Sequence, residues 1–328
     1  MNTELLKKIC SVKGASGEED LVAEMILGEV RDYVDEHSID ALGNLIVRKK
    51  GDGKKMMLAG HMDQIGMMVT HIDKEGFIYF TSIGVLYPMV IHSCRVVFSN
   101  GITGIVNCER LEDGAKIALD KMYIDIGATS REEAEKHVKV GDVCVYKNEP
   151  IVDEFKIMTP YLDDRVGCFV IIEALKKLKN PVFDTYFVFT VQEEVGLRGA
   201  KTSVYNVDPD YGIAFDVTIA ADTPKCRKLP QKLGGGACIK IKDASVLCHP
   251  TIIRHMEKCA LAGNIKHQFE ILEAGGTDSG AIHLHKGGVP SGVISIPARY
   301  VHSFNEMARL SDIEDCINLT VKILETDL

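Results

Sequence analysis

The chain has 328 residues, 46% hydrophobic and 26% charged, a globular composition with length enough for one large domain or two smaller ones. A formal net charge of −9 argues against a nucleic-acid partner, which favours a basic face. No apolar run approaches the roughly 20 residues that cross a bilayer, the opening "MNTELLKKIC" lacks a signal-like core, and ten cysteines lie scattered without a C-x-x-C pair, so the expectation is a cytoplasmic protein with reduced thiols and no membrane partner.

Ser16 followed by Glu19 has capping-box spacing and predicts a helix through "EEDLVAEMILGEVRDYV". "DALGNLIVRKKGDGKKMMLAGHMD" predicts two strands joined by a Gly-Asp-Gly turn, the second apolar without alternation, as in a strand covered on both faces. From about residue 66 to 155 the texture changes. "GMMVTHIDKEGFIYFTSIG" predicts a hairpin, and "CRVVFSNGITGIVNC", "MYIDIGA" and "GDVCVYKNEPIV" predict further short strands broken by glycine. One short helix, "SREEAEKHV", interrupts them with Ser130 as its cap. This stretch predicts a small β-barrel or sandwich inserted into another domain.

Beyond residue 156 strands alternate with helices: helical "DRVGCFVIIEALKKLK", strands "TYFVFTV", "DYGIAFD" and "GACIKI", helix "PTIIRHMEKCALAG", strand "KHQFEIL", helix "DSGAIHLHKG" and strand "PSGVISIP". "LSDIEDCINLTVKILETDL" closes the chain as an amphipathic helix capped by Ser311 or Asp312. The pattern predicts an α/β fold, a mostly parallel sheet flanked by helices, built from residues 1–65 and 156–328 around the β insertion of 66–155.

In such sheets ligands bind beyond the carboxyl ends of the strands. There the sequence offers His61 and Asp63 after "MMLAG", Asp163 and Asp164 before a helix, Glu193 and Glu194 after "TYFVFTVQ", Asp216 after "YGIAF" and His302 after "GVISIPARYV". Each alone has an ordinary structural reading, such as a helix cap or a loop hydrogen bond. Gathered on one sheet edge, so many carboxylates repel unless cations neutralise them. Two histidines and three or four carboxylates suit a two-metal site in which one carboxylate bridges, with Zn²⁺, Co²⁺ or Mn²⁺ favoured by the mixed N/O donors. Hydrolysis there also needs a proton shuttle, and adjacent glutamates can divide the two tasks.

The blocks "AGHMDQIG", "LDDRVG", "QEEVGLRGA", "FDVT", "LGGGACI", "GGTDSGAI" and "RYVHSFNE", in this order, and the insert stretch "YIDIGATSREEAEKHVKVGD", resemble metallopeptidase family 42 over nearly the whole chain. These are dinuclear-metal glutamyl, lysyl and deblocking aminopeptidases with a zinc-peptidase-like catalytic domain, some of them labelled endoglucanases. The resemblance implies that His61, Asp163 and Asp216 hold one metal and His302, Asp163 and Glu194 the other. It makes Glu193 the general acid/base for a two-metal-activated water and Asp63 a carboxylate orienting His61. Asp163 rather than Asp164 as the bridge follows the family block, and Asp278 with its neighbouring glycines would shape the substrate pocket or cap a helix. Short peptides are the implied substrates. The insert would serve dimerisation and access control, with dimers building a homododecamer.

Three positions depart from the family pattern: Gln64 where a glutamate often follows Asp63, "SFNE" for "SPVE" after His302, and Ile219 where a histidine often follows "DVT". None removes a proposed ligand, and all bear on side-chain preference. The alternatives are an amide deacylase of small molecules using the same site, a glycoside hydrolase, and a binding protein with a relic site. A glycosidase needs two carboxylates and no metal and leans on exposed aromatics, and this chain has no Trp.

Overall fold

The computed structural model describes residues 1–110 and 116–328. An eleven-stranded sheet carries the fold. At its centre Asp184–Thr190, Lys55–His61, Tyr211–Ile219 and Ser291–Arg299 lie side by side and parallel. The flanks are antiparallel: Leu45–Lys49 joins one side of this group, and Glu306–Arg309 the other. Ala237–Lys242 branches from Ser291–Arg299 and pairs in parallel with His267–Ile271. Leu45–Lys49 and Lys55–His61, consecutive in sequence, do not pair with each other, because Asp184–Thr190 lies between them.

The unbroken apolar run before His61 is explained by burial on both faces. Met56 and Leu58 enter the larger core, with the helices Leu162–Lys177 and Leu310–Leu324. Met57 and Ala59, one residue out of phase, pack with Ala200, Val204 and Ile282 on the opposite face. Successive strand residues point to opposite sides, so apolar residues at every position mean helices on both. Arg198–Val207, on that second face, and the short strand Glu306–Arg309 are elements the sequence patterns do not announce.

Gly66–Ile72, Ile78–Ile83, Met122–Asp125, Thr103–Cys108, Arg95–Phe98 and Val143–Tyr146 close into a six-stranded antiparallel barrel with its own apolar core. Ser130 caps the one-turn helix Arg131–Ala134 by accepting from the Glu133 amide at 3.2 Å. Two other caps differ from expectation. Ser16 and Glu19 form no capping box on Asp20–Val30, which has no side-chain cap, and Leu310–Leu324 is likewise uncapped by Ser311 or Asp312. Asp312 instead accepts from the amides of Gly234 (2.6 Å) and Gly236 (3.0 Å), pinning the entry to the branching strand. The ten cysteines are unpaired, and only Cys108 and Cys226 are not fully buried. No helix among the described residues is long and apolar enough to cross a membrane.

Candidate metal centre

Strand register assembles the centre. Thr190 pairs with His61, and Ala59 with Ala214, so the chain leaving Thr190, the His61 side chain and Asp216 emerge side by side at the carboxyl edge. Asp163 arrives from the start of the helix Leu162–Lys177 and His302 from the loop after Arg299. Two groups of potential ligand atoms result, each lying within 4.8 Å of one another: His61, Asp163 and Asp216, and Asp163, Glu194 and His302. Asp163 belongs to both. Its Oδ1 is 3.2 Å from His61 Nε2 and its Oδ2 3.2 Å from His302 Nε2. Asp164 belongs to neither group; it is fully buried, with Oδ1 accepting from the Gly167 amide.

Glu194 Oε1 is 3.4 Å from His302 Nε2, whereas Glu193 Oε2 is 3.8 Å from His61 Nε2 and lies outside both groups. The neighbours thus diverge, one to each histidine. Asp63 also lies outside the groups. Its backbone carbonyl is 3.1 Å from His61 Nδ1 and its Oδ1 3.4 Å from the same nitrogen. Its carboxylate also accepts from the amides of Glu193 (2.9 Å) and Glu194 (3.2 Å) and from the Ser16 hydroxyl (2.6 Å).

Electrostatics fit the donor chemistry. Burial, reinforced by Asp163 and Asp164, raises the proton affinity of Asp216; burial likewise raises Glu193 and Glu194. Burial pushes His302 down, but its contacts with Asp163 and Glu194 outweigh that and bring it up to about 12. Four carboxylates face two imidazoles, so negative charge is in excess. One imidazole with two carboxylates, twice over, is a donor set that fits a pair of divalent cations.

Of the residues that aim these groups, the sequence patterns give Glu306 and Arg165 no role of their own, and they make Glu19 a capping-box partner. Glu306 is buried and accepts from the amides of Asp163 (3.0 Å) and His302 (2.7 Å), holding the shared carboxylate and one of the two histidines that face it. Glu19 Oε1 accepts from the amides of Gly17 (2.9 Å) and Gln192 (3.0 Å), fixing the residue that precedes the two glutamates. Arg165, completely buried, donates to the carbonyls of Met62, Ile9 and Val12 and to Gln64 Oε1, tying the N-terminal segment to the loop after His61. The available signal was Arg165 standing inside the apolar run "LDDRVGCFVII".

A cavity of ≈ 680 Å³ opens on the centre, lined by Asp163, Glu193, Glu194, Asp216 and His302. Gly275 and Gly276 line it too, but Asp278 does not. Asp278 stands at the N-cap position of Ser279–Ile282, but its side chain makes no capping hydrogen bond: it is buried, and its Oδ2 takes the Thr190 hydroxyl at 2.5 Å.

The family model of the M42 glutamyl aminopeptidases matches residues 43–319. A putative aminopeptidase of Acetivibrio thermocellus is 50% identical, covering 98% of both chains. The lysyl aminopeptidase of Pyrococcus furiosus is 36% identical over 98% of this chain and 96% of its own. Among solved structures, the TET1 peptidase of Pyrococcus horikoshii, which can assemble into a tetrahedron or a large octahedral shell, superposes with a TM-score of 0.90 at 32% identity, covering 99% of each chain.

Proposed function

The chain belongs to the M42 aminopeptidase family, and from that premise we propose that it is a dinuclear metal-dependent aminopeptidase releasing N-terminal residues from short peptides in the cytoplasm. The observation that carries this reading is Asp163, which faces one histidine with each carboxylate oxygen and belongs to both ligand groups.

His61, Asp163 and Asp216 would hold one cation and His302, Asp163 and Glu194 the other, with Zn²⁺ or Co²⁺ suited to the donors and Mn²⁺ also compatible. Bound there, two such ions supply Lewis acidity, polarising a carbonyl and easing deprotonation of water near neutral pH. Glu193 is the proton carrier. Its carboxylate takes a proton from the attacking water as the oxygen–carbon bond forms, then delivers it to the amide nitrogen as the carbon–nitrogen bond breaks. Burial raises the proton affinity of Glu193, the sense required of a group that must take a proton. Asp63 holds the amides of Glu193 and Glu194 and so sets the direction of both side chains. Glu306 does the same for Asp163 and His302.

The two glutamates give the test. Glu193→Gln should retain metal by elemental analysis while turnover falls ~10²–10⁴-fold with little change in KM, and added metal should not restore it. Glu194→Gln should lose metal and recover partly at high Zn²⁺ or Co²⁺. Near-wild-type rates for both would refute the site, and the reverse pattern would exchange the roles.

A further inference from the structure

The first residue of the substrate remains to be named, and the apolar part of the cavity lining bears on it. Leu197, Val217, Ile219, Leu229, Leu272 and Val301 belong to that lining. Ile219 is 55% exposed, an apolar side chain with its surface turned out rather than into the core. Two cations also line the cavity, Arg227 and Lys240, and neither is free. Lys240 Nζ lies 2.5 Å from Glu270 and 3.2 Å from Asp243, its side chain only 2% exposed. Arg227, by contrast 64% exposed, pairs in bidentate fashion with the equally exposed Glu273, itself a lining residue, through Nη1 at 2.8 Å and through Nη2.

These partners decide the chemistry. An acidic first residue needs an uncommitted cation, and both lining cations already hold carboxylates. A basic first residue needs an uncommitted anion, and Glu273 already holds Arg227, while the carboxylates of the centre face cations and the substrate amine. A charge brought against the apolar part of this lining loses hydration without compensation, and the exposed Arg227–Glu273 pair offers it no net charge, whereas an aliphatic side chain gains by burial. Taking the site as an aminopeptidase centre, we propose that the wall selects an uncharged apolar first residue of the leucine or methionine type, and that the Arg227–Glu273 pair is the specificity-determining element that excludes charge. The assignment departs from both glutamyl and lysyl preference.

The experiment compares kcat/KM of the full-length, metal-replete enzyme on leucyl, methionyl, glutamyl and lysyl p-nitroanilides. Leucyl and methionyl substrates should exceed the charged ones by at least about 10-fold, since apolar pockets discriminate at roughly that level for even one methylene. Glu273→Ala should free Arg227 and raise the glutamyl-to-leucyl ratio about 5-fold, and Arg227→Ala should raise the lysyl-to-leucyl ratio similarly, the size of an exposed charge contact. The double variant should return to the wild-type ranking. A wild-type preference for glutamyl or lysyl substrates, or ratios unmoved by both single variants, would overturn the proposal while leaving the aminopeptidase reading intact. Failure to cleave any of the four would overturn the aminopeptidase reading instead. The wall is then judged by thermal shift with free leucine, glutamate and lysine: stabilisation by leucine alone supports it, and any other ranking refutes it.

Discussion

Replacing Glu19 should damage catalysis from outside the ligand groups. Its Oε1 accepts the amides of Gly17 and Gln192, and the residue is 5% exposed. Gln192 stands at φ 54°, a left-handed conformation that a non-glycine residue keeps only when its surroundings hold it. Glu19→Ala removes both acceptors. A buried donor left unsatisfied costs about 1–3 kcal/mol, and since Gln192 is half-buried while Gly17 is exposed the total should be about 1–2 kcal/mol in urea unfolding. Release of Gln192 also frees the segment that carries Glu193, and a displacement of ~1 Å there can cost ~10²-fold in kcat. Glu19→Gln keeps an oxygen acceptor and should stay within about 3-fold of wild type in kcat. The pH dependence separates charge from hydrogen bonding. Burial raises Glu19 from 4.5 to about 7, so the folded state favours its protonated form. That contribution is full below 4.5 and is lost as pH rises through about 7. Wild type should therefore lose stability relative to Glu19→Gln between about pH 5 and about pH 8. Steady-state kinetics with metal analysis, and urea unfolding at both pH values, read all of this. Glu19→Ala within about 2-fold of wild-type kcat, or Glu19→Gln losing ground to wild type as pH rises, would refute the reasoning.

Lys240→Met leaves Glu270 and Asp243, 0% and 3% exposed, without their cation, and should cost about 3–5 kcal/mol in chemical denaturation; adding Glu270→Gln should recover part of it, and a loss under about 1 kcal/mol would contradict the buried pairing. If residues 66–155 act in dimerisation and access, and dimers build a hollow twelve-subunit particle, light scattering should give the mass of an assembly; monomer alone at micromolar concentration would rule this out.

The positions that meet at the candidate centre were legible because the sheet's own logic marks them. An apolar run such as "TYFVFTV" ends where the strand does, and in a parallel sheet the polar residues that follow share one edge. Register then brings Thr190 level with His61, which no single run could reveal. The choice between Asp163 and Asp164 was not legible from the residues, since both precede the same helix and differ only in where the side chain turns: Asp163 to the two histidines, Asp164 to the Gly167 amide. Ser16 and Glu19 show a deeper difficulty. Their spacing satisfies a local rule, yet their partners are Asp63, 47 residues away, and Gln192, 173 away. Asp312 misleads in the same way, a cap by position whose carboxylate serves Gly234 and Gly236.

These misreadings share a cause. A carboxylate in a loop can satisfy its own helix or someone else's backbone, and spacing describes only the first option. Around this centre the second option prevails. Asp63 holds the amides of Glu193 and Glu194, Glu306 holds those of Asp163 and His302, and Glu19 holds that of Gln192. Each grips the main chain of a residue that faces the cavity or stands next to one. Burial raises the proton affinity of Glu19 and Glu306, so these two add less negative charge to the edge than their formal count suggests; Asp63, despite its burial, is held below the usual carboxylate range by His61, the Ser16 hydroxyl and the Glu193 amide, which offset its charge locally. The acidity of this sheet edge therefore divides in two: carboxylates that face the candidate metal centre, and carboxylates that hold them there.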